Sequence, residues 1–221
     1  MEGVMWVPTH SCKLFPWLLS TADSYTFEHL RKYITDTNKI EPCFAREVNG
    51  AFEILDGRTR VAIAQGLGIG IIPVIVRQFT DEDAKMFVID RVLDERKLNR
   101  LKRSEIAEIV TTYTKIMKVR TSLNLSRLNY KGDNLGRLDT VKQCSEKLEM
   151  SSRTVSRYLR VSKLIDEWKE SLDYGSISLR VAVELSYLSE QDQRDLWNRV
   201  YPAISITGKD VELFKELKTR I

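Results

Sequence analysis

Along this 221-residue chain the apolar positions change their period, and the change divides the sequence. Met5–Leu19 is apolar and aromatic but broken by Pro8 and Pro16, which predicts a short strand followed by an irregular connection. Tyr25–Thr35 carries Phe27, Leu30 and Ile34 at helical spacing, with Arg31 and Lys32 opposite, Ser24 as cap and Asn38 as terminator. Ile40–Val48 reads as a strand begun by Pro42. Strand-type residues from Phe52 run into Asp56-Gly57, and Val61–Ala64 then begins a helix that ends on the glycines of Gln65–Gly70. Ile71–Val76 is a buried-type strand, and Thr80 caps a helix over Asp81–Leu93 with acids in its first turn, as the helix dipole prefers.

Beyond that point only the helical period recurs. Ser104 is the expected cap of a helix over Ser104–Val119 with Ile106, Ile109, Val110, Tyr113, Ile116 and Met117 on one broad face. Thr121–Asp139 is polar and reads as a loop holding at most one helical turn. Two short amphipathic helices follow. Val141, Cys144 and Leu148 mark the first, and Thr140 with Gln143 three residues on makes a capping-box pattern. After Glu149-Met150-Ser151, the second places Val155, Tyr158, Leu159 and Ser162 on one face and Arg153, Ser156, Arg157 and Arg160 on the other. Further helices are expected over Ile165–Leu172, Ser178–Leu188, Ser189–Tyr201 and Lys209–Arg220, with Trp168 and Trp197 in a core that buttresses the pair.

Two short helices joined by a three- or four-residue turn, with small Ser145 at the crossing, form a helix-turn-helix pattern. A helix fits the major groove of duplex DNA, and its arginines reach guanine edges or phosphates. Ser151 and Ser152 sit where a helix N-terminus can hold a backbone phosphate through its N–H groups. The DNA-binding set expected here is Thr140, Ser151, Ser152, Arg153, Thr154, Ser156, Arg157, Arg160 and Lys163. The competing explanation is a solvated basic helix in an ordinary bundle.

Charge supports the first explanation by its distribution. The net +4 says little, but residues 1–92 hold 10 Lys+Arg against 12 Asp+Glu, whereas residues 94–164 hold 17 against 8. A basic block around a helix-turn-helix is the electrostatic footprint of a nucleic-acid binder. Arg120, Arg127, Lys131 and Arg137 are candidates to clamp DNA backbone from the polar loop. Cys12, Cys43 and Cys144 are odd in number and widely spaced, with no CxxC, which suits a reducing cytosol rather than a disulfide framework or metal site. With His10 and His29 as the only histidines, histidine acid–base or metal chemistry has little material. Val4–Leu19 is too interrupted for a signal peptide, and Leu67–Val76 too short for a membrane span, so a cytoplasmic, DNA-associated protein is expected.

The second informative segment is Asp56-Gly57-Arg58-Thr59-Arg60, a strand–turn–helix junction with unpaired N–H groups, a positive dipole end and two arginines. By itself it is either a phosphate cradle or a structural turn with surface arginines. The longer stretch FEILDGRTRVAIAQGLGIGIIPVIVRQFTDEDA resembles the ParB/sulfiredoxin-like domain, and the order of elements over residues 6–200 resembles ParB-type partition proteins. The resemblance implies an α+β N-terminal ParB/sulfiredoxin-like domain followed by an all-α helix-turn-helix domain. The divisions expected are 1–92, a linker helix and basic loop over 93–139, and a DNA-binding helical domain over 140–221.

In ParB proteins a Gly-Glu-Arg-Arg box contacts the phosphates of CTP. The corresponding residues are Gly57-Arg58-Thr59-Arg60, of which Gly57 and Arg60 match. A second family box falls on Asp90–Glu105, where Leu98-Asn99 and Ser104-Glu105 match and Arg91 stands near the family's asparagine. The nucleotide set implied is therefore Asp56, Gly57, Arg58, Thr59, Arg60, Arg96 and Glu105, with CTP or another nucleotide as the cofactor. Sulfiredoxin chemistry needs a cysteine where Arg58 stands, and the related free-serine kinases carry two histidines where Arg58 and Thr59 stand.

The function expected is a ParB-like protein that recognises a specific duplex site in plasmid, viral or chromosome partition, with double-stranded DNA and a ParA-like ATPase as partners and no membrane. Many ParB-like proteins continue into a separate dimerisation domain that these residues lack. Either the natural chain is longer or the expected homodimer forms through other surfaces. The alternatives are a transcription regulator without a partition role, and a nucleotide-using enzyme built on Asp56–Arg60.

Overall fold

A computed structural model describes residues 3–18, 23–94, 97–127, 140–201 and 206–219. It falls into two compact units, Met1–Lys97 and Leu98–Ile221. The first is built on a five-stranded mixed sheet of order β1-β5-β3-β4-β2, formed by β1 (Val4–Pro8), β2 (Cys12–Leu14), β3 (Cys43–Val48), β4 (Ala51–Asp56) and β5 (Ile71–Val76). β1 runs antiparallel to β5, β5 parallel to β3, β3 antiparallel to β4, and β4 parallel to β2. Helices α1 (Ser24–Thr37), α2 (Arg58–Gly66) and α3 (Asp81–Asp94) complete the unit. Val7, Cys12, Cys43, Ala45, Ile54, Val61, Ala64, Ile72 and Val74 form its buried core.

Three local features explain where the sequence-based expectations shift. The expected irregular connection after β1 contains a single 3-10 turn and then a second short strand, β2, because Cys12–Leu14 finds a parallel partner in Phe52–Ile54. α1 is capped by Asp23, not Ser24: its carboxylate accepts from the Thr26 N–H at 2.8 Å, and Asn38 ends the helix at φ 52°. The β3–β4 connection is a tight hairpin in which Asn49 and Gly50 both have positive φ, 51° and 74°, matching the right-handed twist of the strands they join.

The second unit is helical, from α4 (Arg103–Arg127) through α5 (Thr140–Lys147), α6 (Ser152–Val161), α7 (Asp166–Asp173), α8 (Leu179–Leu185), α9 (Glu190–Val200) and α10 (Gly208–Thr219). α4 packs against α5, α6 and α7, so the helix assigned above to a linker lies within this unit. It also continues to Arg127, where a polar loop was expected, because no glycine or proline interrupts 104–127 and the first glycine afterwards is Gly132. Arg120 and Arg127 are therefore helical, while Lys131 and Arg137 lie outside the described residues. Ser104 does not cap this helix. Glu105 reaches back to the Lys102 N–H at 2.8 Å, and Ser104 gives its N–H and hydroxyl to Asp173 of α7. Trp168 is fully buried and meets Trp197 edge to face at 4.9 Å. No helix among the described residues is long and apolar enough to cross a membrane.

Candidate functional site

The turn between α5 and α6 is built from both sides. Glu149 takes a left-handed conformation, φ 52°, at the position where glycine costs least. What holds it there is a pair of backbone bonds, Met150 N–H to the Ser145 carbonyl at 3.0 Å and Glu149 N–H to that of Glu146 at 3.4 Å, the Schellman arrangement. The Ser145 hydroxyl adds a hydrogen bond to the Met150 carbonyl, which explains a small polar residue at the crossing. Ser151 then caps α6, its hydroxyl accepting from the Thr154 N–H at 3.1 Å. Ser151→Ala is expected to cost about 1 kcal/mol of unfolding free energy and Ser151→Asp almost none, as read by urea denaturation.

α6 is strongly two-faced. Val155, Tyr158 and Val161 are buried against the unit, while Ser151, Ser152, Arg153, Ser156 and Lys163 are exposed and Thr154 and Arg157 half-buried. Val161, not Leu159 or Ser162, completes the inner face, because the helix begins at Ser152 and the stripe i, i+3, i+6 follows from Val155. Ser156 donates to the Ser152 carbonyl at 2.9 Å, which leaves its oxygen lone pairs outward. Thr140 lies inside the first turn of α5 and is buried, and the Gln143 Oε1 is buried without a hydrogen-bond partner among the described residues. The expected Thr140–Gln143 capping box therefore does not close, and Thr140 packs inward instead.

The cations of α6 stand without acids among the described residues, as do Arg180, Arg199 and Lys209 elsewhere in the unit, while several others behind α6 are paired. Arg153, Arg157, Arg160 and Lys163 make no ion pair with any described residue. By contrast Lys169 pairs with Asp166 at 2.9 Å, Arg194 with Glu190 at 2.8 Å, and Lys218 with Asp195 at 2.8 Å and Asp192 at 3.0 Å. Arg160 departs from the expected outward row: its guanidinium stacks on the Tyr187 ring, Cζ 3.5 Å from the centroid. Sequence reasoning missed Tyr187 and also Gln193, which stands 28 and 30 residues along the chain from two of the backbone groups it holds. The Gln193 side chain accepts from the Ile165 N–H at 3.0 Å and donates to the Lys163 carbonyl at 3.1 Å, locking the exit of α6 to the entry of α7.

In the first unit, Gly57 stands at φ 93°, and a Cβ there would lie 2.6 Å from the Cys43 sulfur and 3.0 Å from the Arg60 Nε. Only glycine fits this turn. The first intrahelical bond of α2 is Val61 N–H to Gly57 O at 3.0 Å, so the N–H groups of residues 58–60 stand at the helix start, and Gly57 as the N-cap residue offers no side-chain cap. The arginine side chains point elsewhere. Arg58 donates to the Leu18 carbonyl at 2.5 Å, and Arg60 to those of Pro42 at 2.8 Å and Glu41 at 3.1 Å. The Asp56 carboxylate, half-buried, sits 3.6 Å from Arg60 and 3.1 Å from Arg91. Arg91 is a member of this cluster that the spacing of residues did not reveal. Arg96 lies outside the described residues, and Glu105 belongs to the second unit.

Burial pushes the Cys43 thiol up to about 11 and the Cys144 thiol up to about 12, so both stay protonated at neutral pH and act as packing atoms.

Comparison with known proteins adds the following. Residues 19–92 match the family model of the ParB N-terminal domain. The C2221 form of a Pnob8-like ParB-N domain is similar with a TM-score of 0.52 at 14% identity, over 100% of this chain and 97% of that one. The C-terminally truncated chromosome-partitioning protein ParB from Caulobacter crescentus, complexed to the centromeric parS site, gives 0.44 at 16% identity over 98% and 100%. No curated protein matches the chain. Residues 19–92 thus match the ParB N-terminal domain in sequence pattern and in α+β fold, and a helical region follows them.

Proposed function

We propose that this protein binds double-stranded DNA through α5 and α6 as a helix-turn-helix, with α6 in the major groove, in the partition of plasmid, viral or chromosomal DNA. One observation carries the reading: the four cations of α6 and its exit have no acid partner among the described residues, on a helix whose other face is locked into the core. Unneutralised cations on a rigid rod displace counterions from a duplex, whereas the paired lysines and arginines of α7, α9 and α10 have little charge left to offer. Arg153, Ser156 and Arg157 face the groove; Ser151, Ser152, Thr154 and Lys163 flank it at the backbone. A single such helix covers few base pairs, so a homodimer reading two half-sites one turn apart is part of the proposal, with a ParA-like ATPase as the motor.

A phosphate of CTP or another nucleotide at the N–H groups of Arg58–Arg60 is the second part of the reading, supported by the uncapped helix start behind Gly57. The test is a titration of fluorescent duplexes with purified protein at several salt concentrations, with and without CTP. Arg157→Ala is expected to weaken binding by about 1–3 kcal/mol and to flatten the logarithmic salt slope by about one. An unchanged slope and affinity would remove Arg157 from the interface. Affinity indifferent to CTP, with no heat of CTP binding in calorimetry, would remove the nucleotide.

A further inference from the structure

Tyr187 lies in the turn between α8 and α9, 60% exposed, in a segment that neither the helix-turn-helix pattern nor the nucleotide boxes include. Its ring carries the Arg160 guanidinium at 3.5 Å on one side and has Lys215 Nζ at 5.6 Å. Lys215 is paired with Glu184 at 3.6 Å, so of the two cations at this ring only Arg160 is without an acid among the described residues. Stacking also has a consequence for Arg160 itself. Its Nε is buried and has no hydrogen-bond partner among the described residues, so the Nη groups are the ones through which the guanidinium can meet an anion. The stack holds the guanidinium in one orientation in advance, which removes the rotamer entropy that a free arginine loses on binding.

We propose that Tyr187 is a positioning residue for DNA: it holds Arg160 flat as a preorganised clamp for one backbone phosphodiester beside the groove that α6 occupies. This rests on the duplex-binding reading above and adds to it an interaction made through a residue outside α5 and α6. A phosphate suits the arrangement better than a stacked base, because Arg160 already covers a face of the ring at van der Waals distance and Lys215 flanks it. The part of Tyr187 that matters is then its π-face, not its hydroxyl.

The experiment is duplex binding across a salt series for the full chain and for Tyr187→Ala, Tyr187→Phe, Arg160→Ala and the Tyr187→Ala/Arg160→Ala pair, with thermal midpoints recorded for each. Tyr187→Phe is expected to bind like the unsubstituted chain, and Tyr187→Ala about three- to tenfold more weakly, the scale of one cation–π interaction. Arg160→Ala should lower the salt slope by about one, and adding Tyr187→Ala to it should change little. A purely structural tyrosine would lower the thermal midpoint in both backgrounds and leave the two losses additive. Additive losses, or a Tyr187→Ala protein that binds as tightly as the unsubstituted one, overturn this proposal and leave the duplex-binding reading standing. Failure of the unsubstituted chain to bind any duplex at low salt overturns both.

Discussion

Replacing Arg153 and Arg157 together by glutamate is expected to lower duplex affinity about a thousandfold and to remove most of what makes binding salt-dependent. The two side chains stand one turn apart on the outward face of α6 and pair with no carboxylate among the described residues. Each arginine at a groove is worth about 1–3 kcal/mol, and each phosphate left without its cation flattens the logarithmic salt slope by about 0.9. Reversal goes further than removal, since each glutamate also repels the phosphates. The fold should not suffer. Arg153 is the second residue of a helix capped by Ser151, where an acid is favoured by the dipole, and neither side chain contributes to the core. Circular dichroism and thermal midpoints close to those of the unsubstituted chain would therefore accompany the loss. A variant that still binds within tenfold, at an unchanged slope, would place the DNA surface elsewhere.

The second large effect is on stability. Arg46 is 7% exposed in the sheet of the first unit, and its replacement by alanine is expected to cost about 3–5 kcal/mol. The guanidinium donates through Nε and Nη2 to one oxygen of Glu53, both at 2.8 Å, reaches Asp81 at 2.6 Å, and lies 5.0 Å over the Phe15 ring. These partners are not equal. The Asp81 side chain is 78% exposed, and water would replace most of what it loses; that of Glu53 is 19% exposed and would be left as an uncompensated, poorly solvated charge. Glu53 therefore decides the magnitude. If so, Arg46→Met combined with Glu53→Leu should recover much of the stability that Arg46→Ala loses, because the buried charge is removed with its partner. Urea midpoints for the single and paired variants measure this; a single variant that unfolds within about 1 kcal/mol of the parent would contradict it. For a domain whose total stability is about 5–15 kcal/mol, the single variant would leave little reserve.

Much of the candidate DNA surface was legible because its determinants are local. A cap three residues before its acceptor, an apolar stripe at helical spacing and a basic stripe opposite are all properties of neighbouring residues. Ser151, Val155, Tyr158, Arg153 and Arg157 therefore stand where periodicity put them. The β3–β4 hairpin is equally local, since Asn49-Gly50 carries the two positive φ angles that the turn requires. The Gly57 turn was legible as a turn, since a positive φ selects glycine, but its environment was not: the sulfur that excludes a Cβ comes from Cys43, fourteen residues earlier.

What the sequence alone determined about this protein is the succession of strands and helices, the change from α+β to all-α, and the outward arginine face of α6. All of these follow from backbone geometry and the periods of 2 and 3.6 that it imposes. Tertiary structure alone decided the partners of the charged and polar side chains. Arg60 turns to the carbonyls of Glu41 and Pro42, Arg91 comes to Asp56 across 35 residues, Ser104 leaves its own helix for Asp173, and Arg160 lies on Tyr187. A long side chain can reach any donor, acceptor or ring within several ångströms. Which of these lies within reach is set by how distant segments pack, and no local period encodes that.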